Sequence, residues 1–393
     1  MASTAHRPQA APAWFRMAGL ILLSVAIAGC VPRSRQPRQL PTEPVLEETA
    51  PVERSRLPEG ETMNRVAVLV PLSGSNGALG RSILNSANLA LLDTGGDRIR
   101  ITAYDTAAAG AAPAANQALA EGSGLILGPL LAEDVRAVAP LARRADVPVI
   151  AFSNDVSVAG DGVYLMGITP AQSIVRVVGH ARAQGATEFG ALVPASVYGE
   201  RASEAMIGAV AAADGRLVGM QSFTPGAAAA AAARLNGMGA FDAVLIADGP
   251  RAAAAAMPTL RQAEQAPRLL ATELWASEAN AGAVPALRGT WYAAPSDALF
   301  NQFRTRYRAR YNANPYRLAS LGYDAVLLAV RVAADWPLGR AFPERALRDA
   351  GGFTGVDGAF RFGRDGLADR ALEVREVTAT GNSVISPAPR GFN

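Results

Sequence analysis

This 393-residue chain contains no lysine, so all 37 of its Lys and Arg residues are arginine. Histidine occurs twice and cysteine once. These shortages exclude whole chemistries. Without lysine there is no Schiff base and no phosphate-binding loop of the GxxxxGK type. One thiol forms no intrachain disulfide, and one thiol with two imidazoles gives no zinc set of the usual kind. A Ser-His-Asp triad would have to use His180, which falls in the helical pattern of residues 171–184 beside Val177, Val178 and Ala181 and reads as an ordinary helix residue. Neither a catalytic residue nor a metal or cofactor is expected. Arginines interleaved with aromatics are also scarce, so nucleic acid is not an expected partner. The densest group, Arg304, Arg306, Arg308 and Arg310, spreads over more than one helix face and reads as a solvated surface.

Long apolar runs are missing too. Met17 to Ala28 is too short for a membrane span, which needs about 20 residues. It follows a stretch with Arg7 and Arg16 and no acid, and it ends in Ile27-Ala28-Gly29-Cys30. A positive start, an apolar run and small residues before a cut describe a secretory signal peptide, here residues 1–29. The four closing residues resemble the bacterial lipobox, which implies acylation of Cys30 and attachment to a membrane through the lipid. Acyl chains contribute about 0.8 kcal/mol per buried CH₂, so several hold a protein firmly. Loss of the leader removes two arginines and takes the formal charge from +3 to about +1.

Residues 30–63 are rich in Pro, Glu and Arg, with no apolar period. Such a segment buries too little surface to offset its ordering entropy, so it reads as a tether. From Asn64 to about residue 385 the pattern alternates apolar strands with amphipathic helices. The strands begin with residues 65–70, 98–104, 124–127, 147–152 and 163–167, and a second series follows at 189–193, 216–223, 243–247, 268–271 and 291–294. Continuous apolar strands between helices mean parallel sheets covered on both faces. The expected class is α/β, with two Rossmann-like, doubly wound lobes. Residues 64–168 with 296–351 would form one lobe, and 169–295 with 352–385 the other. Helices are expected at 298–311, 317–336 and 343–350, and hairpin strands over 353–377.

Ligands of open parallel sheets bind beyond the carboxyl ends of the strands. The residues there are Ser73, Gly74 and Asn76 after the first strand, Pro129 and Leu130 after the third, and Ser153 and Asn154 after the fourth. The second series offers Tyr198, then Asp248, then Glu273 and Trp275. Hydroxyls, acids and aromatics converging on one cleft suit a small polar ligand. Ser75, Asn76 and Ser196 read equally as helix caps. Gly74, Gly77 and Gly80 have GxxGxxG spacing rather than the dinucleotide GxGxxG, so no nucleotide cofactor is expected.

The segments Val66 to Gly74, Gly124 to Pro129, Val147 to Ala151, Gly322-Tyr323-Asp324-Ala325 and Phe353 to Phe362 resemble, in that order, the type I periplasmic binding proteins of the leucine/isoleucine/valine-binding class. The resemblance implies two lobes joined by three crossovers and closing on a ligand. Amino-acid receptors of this class carry Ser or Thr after the third strand to hold the ligand carboxylate. Here those positions are Ala132 and Glu133. Gly128 to Val135 is similar instead to the penicillin-binding-protein activator lipoproteins, which regulate peptidoglycan synthases, and the lipobox and tether suit that branch. The enterobacterial activators carry a helical-repeat domain ahead of this one, whereas here a short tether precedes it. The expectation is therefore a non-enzymatic envelope lipoprotein, anchored at the outer membrane, with a peptidoglycan synthase as partner. The alternative is a transport receptor in which Glu273 or Asp248 holds an amino group and Ser73, Ser153 and Tyr198 a carboxylate.

Overall fold

Six of the seven residues of Asn64–Val70 (β1) are buried, as an apolar run with no alternation requires. A computed structural model describes residues 57–262, 266–278 and 280–392, and all of these fall in the unit Glu53–Asn393. The leader, Cys30 and the tether up to residue 56 lie outside the described residues.

After β1 the first lobe continues through Gly77–Thr94 (α1), Ile99–Asp105 (β2), Ala111–Ala120 (α2), Ser123–Leu127 (β3), Ala132–Arg144 (α3), Val149–Ala151 (β4) and Val163–Leu165 (β5). Its sheet has the order β2-β1-β3-β4-β5, and every pairing is parallel. The second lobe starts with Pro170–Ala183 (α4), Glu188–Pro194 (β6), Val197–Ala212 (α5), Arg216–Phe223 (β7), Ala228–Asn236 (α6), Ala243–Ile246 (β8), Pro250–Leu260 (α7), Arg268–Ala271 (β9) and Trp291–Ala294 (β10). The chain then returns to the first lobe as Asp297–Tyr311 (α8) and Ser320–Ala333 (α9), whose Phe303, Tyr307, Leu321 and Val326 join its core.

The carboxyl-terminal strands divide between the lobes. Phe353–Gly355 (β11), Gly358–Phe362 (β12) and Ala368–Arg370 (β13) form a small antiparallel sheet. Phe353, Phe360 and Phe362 are buried in the first lobe's core. Only Glu373–Thr378 (β14) and Gly381–Ser386 (β15) join the second sheet, whose order is β15-β14-β10-β9-β8-β6-β7. The sequence pattern assigns all of 352–385 to the second lobe. Three aromatics on a short hairpin instead bury themselves against the nearest apolar face, which belongs to the first. The helix expected at 343–350 is a short 3₁₀ turn, Glu344–Arg348.

The chain crosses between lobes after β5, after β10 and between β13 and β14, the three crossovers of a type I periplasmic binding protein fold. Side chains tie the crossovers together. Arg370 Nη2 donates to the carbonyl of Met166 at 2.8 Å, joining the third to the first. Arg375 pairs with Asp297 and donates to the carbonyl of Pro295, joining the third to the second. Ser173 Oγ donates to Ala293 O at 2.9 Å, and Arg176 Nε to Leu372 O at 2.9 Å.

Candidate interlobe binding site

The second sheet is parallel from β7 to β10, with β14 and β15 added antiparallel, and the parallel part of each sheet reverses its strand order once, between β1 and β3 in the first lobe and between β6 and β8 in the second. A crevice opens at such a switch point, because the flanking loops leave in opposite directions. The loops after these four strands hold most of the residues singled out from the sequence.

On the second lobe those residues come together. The Tyr198 hydroxyl lies 2.8 Å from Thr272 Oγ1 and 3.0 Å from Glu273 Oε1. Trp275 is buried, and its Nε1 donates to the Asp248 carbonyl at 2.9 Å. Asp248 Oδ1 accepts the Gly249 N–H at 2.6 Å. Ser196 caps α5, its Oγ accepting from Gly199 N at 3.2 Å. This starts the helix one residue before Tyr198 and sets the ring's direction. Burial pushes the Glu273 carboxyl up to about 7. Burial, and then the charge of Glu273, raise the Tyr198 phenol above its ordinary value. Glu273 Oε2 is buried with no hydrogen-bond partner among the described residues. A buried acceptor left unpaired costs about 1–3 kcal/mol, so this atom is a natural receiver for a ligand's donor.

The first-lobe residues are less uniform. Ser73 and Gly74 are exposed in the loop after β1, Gly74 at φ +67°. Asn76 precedes α1 without a side-chain cap bond. Pro129 and Leu130 are buried, and the Pro129 carbonyl accepts from Phe152 N at 2.9 Å. Gly128 before them has φ +96°, and a Cβ there would lie 2.1 Å from Leu69 O, so only glycine makes this turn. Ser153 is buried, its Oγ accepting from Asp155 N at 3.1 Å, while Asn154 is exposed. Pro129 and Ser153 thus have local partners, and Leu130 is buried in the first lobe's core.

Sequence reasoning missed Arg201. One helical turn after Tyr198, it reaches across to the first lobe, with Nη2 3.9 Å from Asp155 Oδ1. Arg136 holds the same carboxylate at 2.6 Å. Hydrogen bonds from Ser157 and the Arg136 charge outweigh burial and keep Asp155 below its usual range. The Tyr198-x-x-Arg201 spacing was the available signal.

A model of the family described as periplasmic binding protein matches residues 64–382. The chain belongs to the periplasmic binding protein family. Solved periplasmic binding proteins share the fold at low identity. One from Rhodospirillum rubrum, assigned to branched-chain amino acid ABC transport, has a TM-score of 0.70 at 21% identity, covering 82% of this chain and 100% of that one. An ABC-transporter solute binding protein of Rhodopseudomonas palustris, in complex with 3,4-dihydroxybenzoic acid, has a TM-score of 0.61 at 18% identity, with 85% and 98% covered. The branched-chain amino acid transporter substrate binding protein of Streptococcus pneumoniae, in complex with isoleucine, has a TM-score of 0.57 at 18% identity, with 83% and 100% covered. An uncharacterised protein of Rickettsia prowazekii is 25% identical over 142 residues, a match taking in 36% of this chain and 38% of that protein. No helix among the described residues is long and apolar enough to cross a membrane.

Proposed function

We propose that this chain is a lipid-anchored envelope protein of the penicillin-binding-protein activator type, attached through Cys30 at the outer membrane and regulating a peptidoglycan synthase. The observation that carries this reading is the start of α3. A helix amino terminus at a cleft favours a ligand anion. Here the first turn already holds Glu133 and Asp134. Burial raises the Asp134 carboxyl, and the neighbouring Glu133 raises it further. A ligand carboxylate would bring a third negative charge to this turn. The lipobox and the Pro-rich tether agree with an anchored regulator that reaches away from its membrane. Surface plasmon resonance between the full-length lipoprotein and a peptidoglycan synthase of its own bacterium tests the reading. Saturable binding at about 10 µM or tighter supports it, and no response at that concentration contradicts it.

A second reading, a transport receptor for a small polar ligand, is favoured by Glu273 Oε2. A buried carboxylate with one free oxygen suits an ammonium group, and the solved relatives that carry amino acids share the fold.

A further inference from the structure

The far ends of the two lobes carry hollows of similar size and opposite character. The first-lobe hollow, about 400 Å³, is lined by Arg143 together with Asp146, Asp161 and Glu344. Its arginine is paired with Asp161 at 3.3 Å. The second-lobe hollow, about 410 Å³, is lined by Arg261, Arg268 and Arg288, with Asp242 as its acid. Asp242 is already committed, its Oδ2 accepting from Thr187 N at 2.8 Å, Thr187 Oγ1 at 3.1 Å and Glu188 N at 2.9 Å.

The three arginines come from three segments: the end of α7, the start of β9 and the loop before β10. Each is aimed by one backbone carbonyl. Arg261 Nη2 donates to Ala286 O at 3.0 Å, Arg268 Nη1 to Gly289 O at 2.9 Å, and Arg288 Nε to Gly282 O at 3.0 Å. Arg268 also lies over the Trp291 ring, 4.3 Å from its centroid. A carbonyl orients a guanidinium without cancelling its charge. Two carboxylates stand near these arginines among the described residues: Asp242 in the hollow itself, and Glu376, 3.8 Å from Arg268, which also accepts from Trp291 Nε1 at 2.8 Å. Some arginines elsewhere pair with acids, as in Arg65–Glu61, Arg306–Asp93 and Arg331–Asp349, and others, such as Arg98 and Arg182, stand singly on a carbonyl; here three arginines seated on carbonyls line one hollow. Among the described residues, three guanidiniums against two carboxylates leave this hollow with a net positive charge.

We propose that this hollow binds a phosphate-class oxyanion, either free phosphate or the phosphate of an anionic lipid headgroup. The guanidinium fork matches a phosphate's oxygens in pairs. The site stands apart from the interlobe cleft. Asp242, Arg268 and Thr290 mark the amino ends of β8, β9 and β10, whereas the cleft lies at their carboxyl ends.

Isothermal titration calorimetry tests this on the full chain in a neutral detergent at low ionic strength. The probes are inorganic phosphate and detergent micelles doped with phosphatidylglycerol. The wild type is expected to bind saturably. R261Q/R288Q is expected to bind roughly tenfold more weakly, in keeping with the loss of charge-assisted hydrogen bonds. R143Q in the first-lobe hollow is expected to bind as the wild type does. R288Q alone, at an exposed position, gives a partial loss even if the double variant fails to fold. Binding of both probes assigns the site to free phosphate, and binding of the doped micelles alone assigns it to a headgroup. No saturable heat with either probe, equal affinity in the wild type and the arginine variants, or an equal loss in R143Q would overturn the proposal.

Discussion

The Tyr198 hydroxyl stands 3.0 Å from one oxygen of Glu273, and the other oxygen of that carboxylate is buried with no partner among the described residues. Two loops that end different strands of one sheet thus meet at a single half-satisfied acid. Burial places the Glu273 carboxyl at about 7, well above its unfolded value of about 4.3.

The sign of the resulting pH dependence is fixed. Between pH 4.3 and 7 the folded protein holds this proton and the unfolded chain has lost it. Folding stability therefore falls as pH rises through that window. Asp324, fully buried, is also pushed up to about 7 by burial and by the charge of Asp357, and it acts in the same direction. Asp134, also raised, adds to them, and Glu273→Gln removes one of these contributions. It should be more stable than the wild type at pH 8, by about 1–3 kcal/mol, and should show a shallower slope from pH 5 to 7. Urea unfolding at pH 5.5 and pH 8 measures both; equal slopes for the two proteins would contradict the assignment.

In both lobes a glycine in the first turn of a helix lies against the carbonyl of the proline that closes the preceding strand. A Cβ on Gly80 would lie 1.8 Å from Pro71 O, and one on Gly199 would lie 1.7 Å from Pro194 O. In each lobe the proline closes the first strand and the glycine lets the helix start beneath its carbonyl. Gly80→Ala and Gly199→Ala should each destabilise by about 1–3 kcal/mol. Being in separate lobes, the two effects should add within about 0.5 kcal/mol. Thermal melts of the two single variants and the double variant provide the check, and a melting temperature unchanged in either single variant would speak against the close approach.

The lobes and their strand series were legible because parallel strands are apolar on both faces. β15 was not, since Gly381–Ser386 is polar and mostly exposed, with no period of two to reveal it. Tyr198, Asp248, Glu273 and Trp275 could be singled out because each follows a strand. Their pairing needed the sheet order, which the sequence does not state. Arg201 was hidden because its partner Asp155 is in the other lobe. The motifs around Asp324 and Asp357 were visible as fragments of a resemblance, without a role. The structure supplies one, since Asp324 accepts the Val356 N–H at 2.7 Å and the Asp357 N–H at 3.3 Å. That contact fastens the β11–β12 hairpin to α9.

The hairpin's own acid gives the next prediction. Asp357 is fully buried, 2.5 Å from Arg317 Nη1 and 2.6 Å from Ser320 Oγ. Removing one partner of a buried pair strands the other's charge, at about 3–5 kcal/mol. Asp357→Asn should lower stability by about that amount, read by denaturant unfolding. A change under about 1 kcal/mol would mean that the Arg317 guanidinium finds water instead.

Acids at the start of α3 make an amino-acid carboxylate unwelcome. Leucine, isoleucine and valine should bind the full chain with dissociation constants above about 1 mM, or less than about 4 kcal/mol of binding free energy. Calorimetric titration with each decides this. Micromolar binding of any one would favour the transport reading.

The most direct test of the account is the rate at which a purified peptidoglycan synthase from the same bacterium polymerises lipid-linked precursor, with and without the full-length lipoprotein. The activator reading predicts a several-fold rise in rate that saturates with lipoprotein concentration. An unchanged rate at saturating lipoprotein, with the synthase active, would contradict it.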